Sequence, residues 1–409
     1  MTPLLLQGDA QALPLAEASV HCVVTSPPYW GLRDYGTATW HGGDPACLHS
    51  RQTSSREATV TSESRPANVN HAREPWKGGR CGRCGAMSED AQLGTESLHD
   101  CLAWARQASP CGQCYVCGMR QVASELWRVL RDDGTWFLNL GDSYAGSGVH
   151  AAHHANPGLS KAGQRQGAVA TPVANGLKPK DLVGIPWRVA LALQADGWVL
   201  RSEIIWAKPN AMPESVTDRP TKAHEQVFLL TKQGRYFWDH EAVREVAQTA
   251  ERSREKNNGE SAVDTKMRGH GGHCGTTIGR NARTVWTIPT ESFSGAHYAT
   301  FPQALVERCI KAGTSAAGCC ADCGAPWMRQ IEQTETRNLS AKGSRFDLGK
   351  TGTNGQGRVQ AGERYLSRST GFVASCLCDA GLPVPCIVLD PFCGTGTTLL
   401  VARALGRQG

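Results

Sequence analysis

The residues with the most chemistry in them are Thr25-Ser26-Pro27-Pro28-Tyr29, directly after the apolar run Val20-His21-Cys22-Val23-Val24. The run reads as a buried strand, and the two prolines forbid both its continuation and an immediate helix. The result is a stiff turn presenting the Ser26 hydroxyl, the Pro27 carbonyl and the Tyr29 ring together. Two acceptors and a ring suit a planar base with an exocyclic amino group, which has N–H donors to satisfy and a face to stack. A Pro-Pro turn with a packed Tyr is the plain structural alternative.

A second chemical element lies near the other end. Ile387-Val388-Leu389-Asp390-Pro391-Phe392-Cys393-Gly394-Thr395-Gly396-Thr397-Thr398 reads as strand, glycine turn and helix, and residues 398–405 continue it with a mostly apolar face. Glycines let a ligand approach the backbone, and a helix N-terminus offers N–H groups without intrahelical partners. The dinucleotide pattern Gly-x-Gly-x-x-Gly is not met, because Leu399 stands where the third glycine belongs.

Together, Thr-Ser-Pro-Pro-Tyr and Asp-Pro-Phe-x-Gly-x-Gly-Thr-Thr resemble the amino-methylating DNA methyltransferases, which use S-adenosylmethionine on the exocyclic nitrogen of cytosine or adenine. Further segments resemble the same family: Gly8-Asp9, Leu138-Asn139-Leu140-Gly141-Asp142-Ser143-Tyr144, Ile205-Trp206-Ala207-Lys208-Pro209-Asn210, Pro213-Glu214-Ser215, Asp218-Arg219, His224-Glu225 and His297-Tyr298-Ala299-Thr300-Phe301-Pro302. The catalytic turn precedes the cofactor turn, as in the family's permuted, beta-type order. The resemblance implies a doubly wound, mostly parallel, Rossmann-like α/β sheet with one antiparallel strand. Ligands bind such sheets at the carboxyl ends of the strands, whatever order the chain visits them.

Carried over residue by residue, the resemblance makes Ser26, Pro27, Pro28 and Tyr29 the catalytic turn. It assigns cofactor contacts to Asp9, Thr25, Phe301, Pro302, Asp390, Pro391, Phe392, Gly394, Gly396 and Thr397. Ser26 Oγ and the Pro27 carbonyl would accept the amine's N–H groups, and Tyr29 would stack on a base flipped from the duplex. Ser at position 26, rather than Asp, resembles the cytosine-N4 signature and favours cytosine over adenine. Carbon-5 chemistry needs a cysteine nucleophile, and Pro385-Cys386 lies too close to the cofactor strand to serve. The partners implied are double-stranded DNA and a cognate restriction endonuclease, in the cytoplasm of a bacterial or phage-infected cell. In the family an acidic residue that holds the cofactor ribose follows roughly 20 residues beyond the glycine turn. The chain stops at Gly409, which reads as a truncation. A catalytically decayed, zinc-containing DNA-binding protein is the alternative reading, and a nucleotide-dependent oxidoreductase a weaker one.

Positioning these groups takes a large core, and 409 residues suffice for two or three domain-sized units. No run of 18 apolar residues and no basic-then-apolar leader is present. Seventeen cysteines in such a chain point to metal rather than disulfides. Their spacing suggests three structural zinc sets: Cys47, His49, Cys81 and Cys84; Cys101, Cys111, Cys114 and Cys117; and Cys320, Cys323, Cys376 and Cys378, with Cys319 as a competitor. Filled sites would lower the formal +6 to about +1, because ligating thiols are deprotonated. DNA attraction must then come from local patches. The candidate patch is 252–283, with Arg254, Lys256, Lys266, Arg268 and Arg280.

The expected organisation follows. Residues 1–40 and 119–238 form the catalytic half of the sheet, and 41–118 a cysteine-rich insertion with a flexible part at 51–70. Residues 239–296 form a target-recognition region, 297–318 and 384–409 the cofactor half, and 319–383 a second cysteine-bearing, zinc-ribbon-like insertion. Within the sheet, Val122, Leu126, Val129 and Leu130 mark a helix face, Asp133-Gly134 a turn, and 135–140 a strand. Residues 145–180 read as a mobile loop. Ile185, Val189, Ala192 and Leu193 line a helix that tolerates Pro186 in its first turn, followed by strands at 198–206 and 225–231. The Gly-, Ser-, Thr- and Arg-rich stretch 334–370 extends between the two halves of the third cysteine set.

Overall fold

The structure is a computed structural model, and it describes residues 4–30, 39–47, 84–89, 93, 111–112, 114–145, 177–178, 180–245, 280–291, 301–336, 364–379 and 381–409. The expected flexible segment 51–70 and nearly all of the loop at 145–180 fall outside these residues. In chain order the elements are β1 (Val20–Thr25), β2 (Thr39–His41), β3 (Met87–Glu89), α1 (Tyr115–Val129), β4 (Leu130–Leu140), α2 (Ile185–Ala195), β5 (Val199–Ala207), β6 (His224–Thr231), β7 (Val285–Thr287), α3 (Gln303–Gly313), β8 (Met328–Thr336), β9 (Arg364–Val373), β10 (Val388–Leu389) and α4 (Thr397–Ala404).

The chain divides into two compact units. One comprises 1–236, 284–309 and 387–409; the other comprises 237–283 and 310–386. These bounds cut across the expected recognition region, because Val285–Thr287 belongs to the first unit.

The first unit is an α/β domain around a six-stranded sheet of order β10-β1-β4-β6-β5-β7. β1 runs parallel to both β10 and β4, and β5 parallel to β7, while β6 is antiparallel to both neighbours. The central strands read as continuous apolar runs because both faces are covered: Val20, Cys22, Val23, Trp136, Phe137, Leu138, Leu140, Phe228 and Leu230 are all buried. α1 buries Met119, Val122, Leu126 and Val129 at i, i+3, i+7 and i+10, the helical period that lays one stripe on a sheet. α2 does likewise with Ile185, Val189, Ala192 and Leu193. Pro186 sits in its first turn, where no amide donor is missed. Asp142 Oδ1 accepts from the amides of Gly184 (2.9 Å) and Ile185 (3.0 Å), satisfying donors that the helix start leaves open.

One sequence expectation is corrected here. Asp133-Gly134 is no turn after a helix ending at Leu130. The helix stops at Val129, and β4 begins at Leu130 and runs through both residues. Val20 pairs with Leu130 and Cys22 already with Thr135, so the extra β4 residues bulge out of the ladder. Arg131 closes the bulge on Asp133 at 2.8 Å, and a Cβ on Gly134 would lie 2.6 Å from Leu130 Cδ1. A glycine is required by that close approach.

The second unit carries an antiparallel hairpin of β8 and β9, paired from Met328↔Val373 to Thr336↔Arg364. Strand pairing therefore reaches into both ends of the stretch 334–370. Asp239, which is buried, receives Arg329 Nη2 at 2.7 Å and Nε at 3.0 Å, and the same guanidinium lies over the Phe372 ring. Among the described residues, no helix is long and apolar enough to cross a membrane.

Candidate active site

Several polar and charged side chains of the first unit gather at the carboxyl ends of its parallel strands. Ser26–Tyr29 leave the carboxyl end of β1, Asn139 lies at the end of β4, and Lys208 directly follows β5. Asp390 directly follows β10. Glu225 comes to the same edge for the opposite reason: β6 is antiparallel, so its start lies where its neighbours end.

The two motifs from the distant chain ends are in direct contact. β1 pairs with β10 through Cys22↔Val388 and Val23↔Leu389. Just beyond that pairing, Thr25 Oγ1 donates to Asp390 Oδ1 at 2.7 Å, and Thr398 Oγ1 donates to Oδ2 at 2.7 Å. The Phe392 amide donates to Asp390 Oδ1 at 3.0 Å. One buried carboxyl thus holds the end of β1, the glycine turn and the first turn of α4 together. Gly394 and Gly396 both have positive φ (49° and 77°), and the space where a Gly396 side chain would stand is open. Gly396 caps α4, with the Thr395 and Thr397 hydroxyls 3.1 Å apart beside it.

Burial pushes the Asp390 carboxyl up to about 6 from an ordinary 3.8, against the three hydrogen bonds that favour its ionised form. With a folded pKa above the unfolded one, its contribution to stability is full below pH ~4 and is lost as pH rises through ~6, a change on the order of 3 kcal/mol. Asp390→Asn keeps acceptors for Thr25 and Phe392 and removes the titration. Urea midpoints should therefore fall between pH 4 and pH 7 for the native chain more than for this variant. Equal falls in the two proteins would contradict the assignment.

The Ser26–Tyr29 turn is held by a polar network. Tyr29 Oη donates to Glu225 Oε2 at 2.7 Å and accepts from Asn139 Nδ2 at 2.6 Å and from Ser26 Oγ at 3.1 Å. Asn139 Nδ2 also reaches Glu225 Oε2 at 2.9 Å and Ser26 Oγ at 3.3 Å. Lys208 Nζ forms an ion pair with Glu225 Oε1, its ammonium standing over the Trp206 ring. Behind the turn, Tyr115 Oη donates to the Pro28 carbonyl at 2.9 Å. Burial, with the Glu225 carboxylate next, holds the Tyr29 phenol well above its ordinary range, so Tyr29 is a neutral donor at any working pH. Its ring lies flush on the backbone at Gly141, where a Cβ would come within 2.7 Å of Cε2.

The remaining sequence-derived residues are placed as follows. Asp9 sits in an exposed turn and accepts from the Gln11 amide at 2.9 Å. Pro302 is buried at the start of α3, with half-buried Phe301 before it. Pro391 and Phe392 lie partly exposed in the glycine turn. Of the cysteine sets, Cys320, Cys323, Cys376 and Cys378 bring their sulfurs within 4.8 Å of one another, as do Cys111, Cys114 and Cys117. Cys101, His49 and Cys81 lie outside the described residues; Cys47 and Cys84 are half-buried near the short β2–β3 pair. Arg254, Lys256, Lys266 and Arg268 are likewise outside, whereas Arg280 forms an ion pair with Glu245 at 3.0 Å. Sequence reading assigned no role to Asn139, Lys208 or Glu225. The available signal was their place in segments that resemble the family, at strand ends whose adjacency rests on β6 running antiparallel.

A sheet of this order, with a Pro-Pro-Tyr turn beside a glycine turn, defines an α/β enzyme that takes its ligands at one strand edge. Comparison with known proteins agrees. The family model described as DNA methylase, covering amino-methylating N6 and N4 enzymes, matches residues 20–323. The chain belongs to that family. It is 38% identical over 314 residues to the Type II methyltransferase M.Cfr9I of Citrobacter freundii, covering 76% of this chain and 72% of the relative. It is 34% identical over 320 residues to M.SmaI of Serratia marcescens, covering 77% and 76%. Among solved structures, the cytosine-N4-specific PvuII DNA methyltransferase aligns with a TM-score of 0.36 and 13% identity, over 75% of this chain and 69% of that one.

Proposed function

We propose that the chain is a site-specific Type II DNA methyltransferase that transfers a methyl group from S-adenosylmethionine to an exocyclic base amine, cytosine N4 in preference to adenine N6. The observation that carries this reading is the Thr25–Asp390 hydrogen bond, which sets the amine-binding turn beside the glycine turn. S-adenosylmethionine, when bound, supplies a methyl group made electrophilic by its sulfonium. The residues fit it: open space at Gly396, hydroxyls at Thr395 and Thr397, the positive end of α4, and the half-buried Phe392 ring.

The amine of a nucleobase is a poor nucleophile because its lone pair is delocalised into the ring. Ser26 Oγ and the Pro27 carbonyl accept its two N–H groups and favour the tetrahedral nitrogen that can attack. Tyr29 packs against the base after it leaves the stack, a cost of a few kcal/mol met by contacts in the pocket. Glu225 and Asn139 hold the Tyr29 hydroxyl, and with it the ring plane and the Ser26 rotamer. The pocket supplies orientation, worth several orders of magnitude in rate, and no covalent enzyme intermediate is required. Cytosine is favoured by Ser at position 26. A cognate restriction endonuclease is the partner proposed, as the relatives' Type II designation suggests.

Two measurements test the reading. Calorimetry should give saturable binding of S-adenosylmethionine and none of NAD. Enzymatic digestion of methylated DNA to nucleosides should yield N4-methylcytosine by mass. N6-methyladenine would transfer the proposal to the other base, and NAD binding would overturn it.

A further inference from the structure

The second unit contains a cluster that methyl transfer does not use. Cys320 and Cys323 precede β8, and Cys376 and Cys378 follow β9, so the four sit across the open end of the hairpin. All four are thiols in the structure, and their sulfurs lie within 4.8 Å of one another. Tetrahedral zinc with bonds of about 2.3 Å places its thiolates about 3.8 Å apart, a spacing this cluster reaches with small side-chain adjustments.

The backbone is already folded for ligation. Cys320 donates its amide to Ala325 O at 2.8 Å and accepts Gly324 N–H at 2.9 Å through its carbonyl. Gly324 has φ of 69°, the left-handed value that closes such a turn. Across the hairpin, Ser375 Oγ donates to Pro326 O at 2.6 Å and ties the two cysteine turns together. Cys319 is turned away: its buried sulfur lies 3.5 Å from Val384 O and 3.8 Å from Pro385 O, and it is not in the group of four.

The hairpin needs such a clamp. Among the described residues β8 and β9 pair only with each other, and their sequences, Met-Arg-Gln-Ile-Glu-Gln-Thr-Glu-Thr and Arg-Tyr-Leu-Ser-Arg-Ser-Thr-Gly-Phe-Val, are mostly polar. A two-stranded ribbon without an apolar face is marginal in water, and small units of this kind are commonly stapled by a metal.

We propose that Cys320, Cys323, Cys376 and Cys378 form a structural zinc site that closes the base of the β8–β9 hairpin. The four thiolates bind one Zn²⁺ with release of their protons and no change of oxidation state. Bound metal fixes the register of the strands, adding to their own ladder and to the few side-chain contacts between them.

The test is metal content of the purified full chain by plasma mass spectrometry, read as a difference so that the other cysteine sets cancel. Cys376→Ser/Cys378→Ser should lose one zinc per chain relative to the native protein, while Cys393→Ser, at a thiol outside every such cluster among the described residues, loses none. If the double variant proves insoluble, Cys378→His should keep the zinc, since three thiolates and an imidazole still make a tetrahedral set. After growth in cobalt, Cys378→His should show altered visible bands compared with the native chain. Unchanged zinc in a soluble double variant, unaltered cobalt bands in Cys378→His, or iron in place of zinc would overturn the assignment.

Discussion

Ser26→Ala and Tyr29→Ala should each lower methyl transfer to DNA by about 100-fold or more, the usual loss when one oriented hydrogen-bonding or positioning group is removed from a reacting centre. The two losses have different origins. Ser26→Ala deletes the acceptor that turns the amine nitrogen toward attack and leaves the Tyr29–Glu225 bond in place. Tyr29→Ala removes the ring and leaves Glu225 facing only Asn139 and Lys208. Neither residue touches the Asp390 cluster, so calorimetric affinity for S-adenosylmethionine should change little in both; the melting temperature should hold in Ser26→Ala and fall in Tyr29→Ala, which leaves a cavity where the packed ring stood. Label transfer at native rates in both variants would remove the catalytic turn from the mechanism. Loss of cofactor binding in step with activity would show that the turn serves the wrong half of the reaction.

Gly141→Ala should be nearly as damaging although Gly141 carries no reactive group. An added Cβ would come 2.7 Å from Tyr29 Cε2 and 2.8 Å from Cδ2, closer than carbon atoms approach, so the ring must move. Its hydroxyl is held by Glu225 and Asn139, which leaves a tilt of the ring as the cheapest escape. A displacement of around 1 Å at such a position costs on the order of 100-fold in rate. A structural defect alone would lower the melting temperature and raise no kinetic signature. The expected pattern is a fall in kcat with KM for S-adenosylmethionine unchanged. Wild-type kcat in Gly141→Ala would show that the ring's position is immaterial.

Much of this architecture was legible before coordinates. β1 and its turn were readable because an apolar run is cut off by Ser26-Pro27-Pro28, and residues with restricted φ punctuate a chain unambiguously. The glycine turn was readable for the converse reason: Gly394 and Gly396 adopt a φ that other residues resist. α1 and α2 were readable from helical periodicity. Asp133-Gly134 misled because the pair favours reversals, yet the β1–β4 ladder absorbs both residues in a bulge, and tertiary pairing overrides local propensity. The Lys208–Glu225–Tyr29–Asn139 network was beyond sequence reading, since its members come from four strand ends whose adjacency depends on strand order and on the reversal of β6. Paired Cys spacing pointed to Cys320, Cys323, Cys376 and Cys378, but only coordinates separate Cys319 from them, through the carbonyls its sulfur faces.

The central claim is that both chain ends build one pocket for methylating a base amine. Its most direct test is single-molecule sequencing of genomic DNA from cells expressing the chain, beside cells expressing Ser26→Ala. The expected result is N4-methylcytosine at one short sequence motif, present with the native chain and absent with the variant. Folded, soluble native protein that leaves the genome unmodified, or marks it only at cytosine carbon 5, would contradict it.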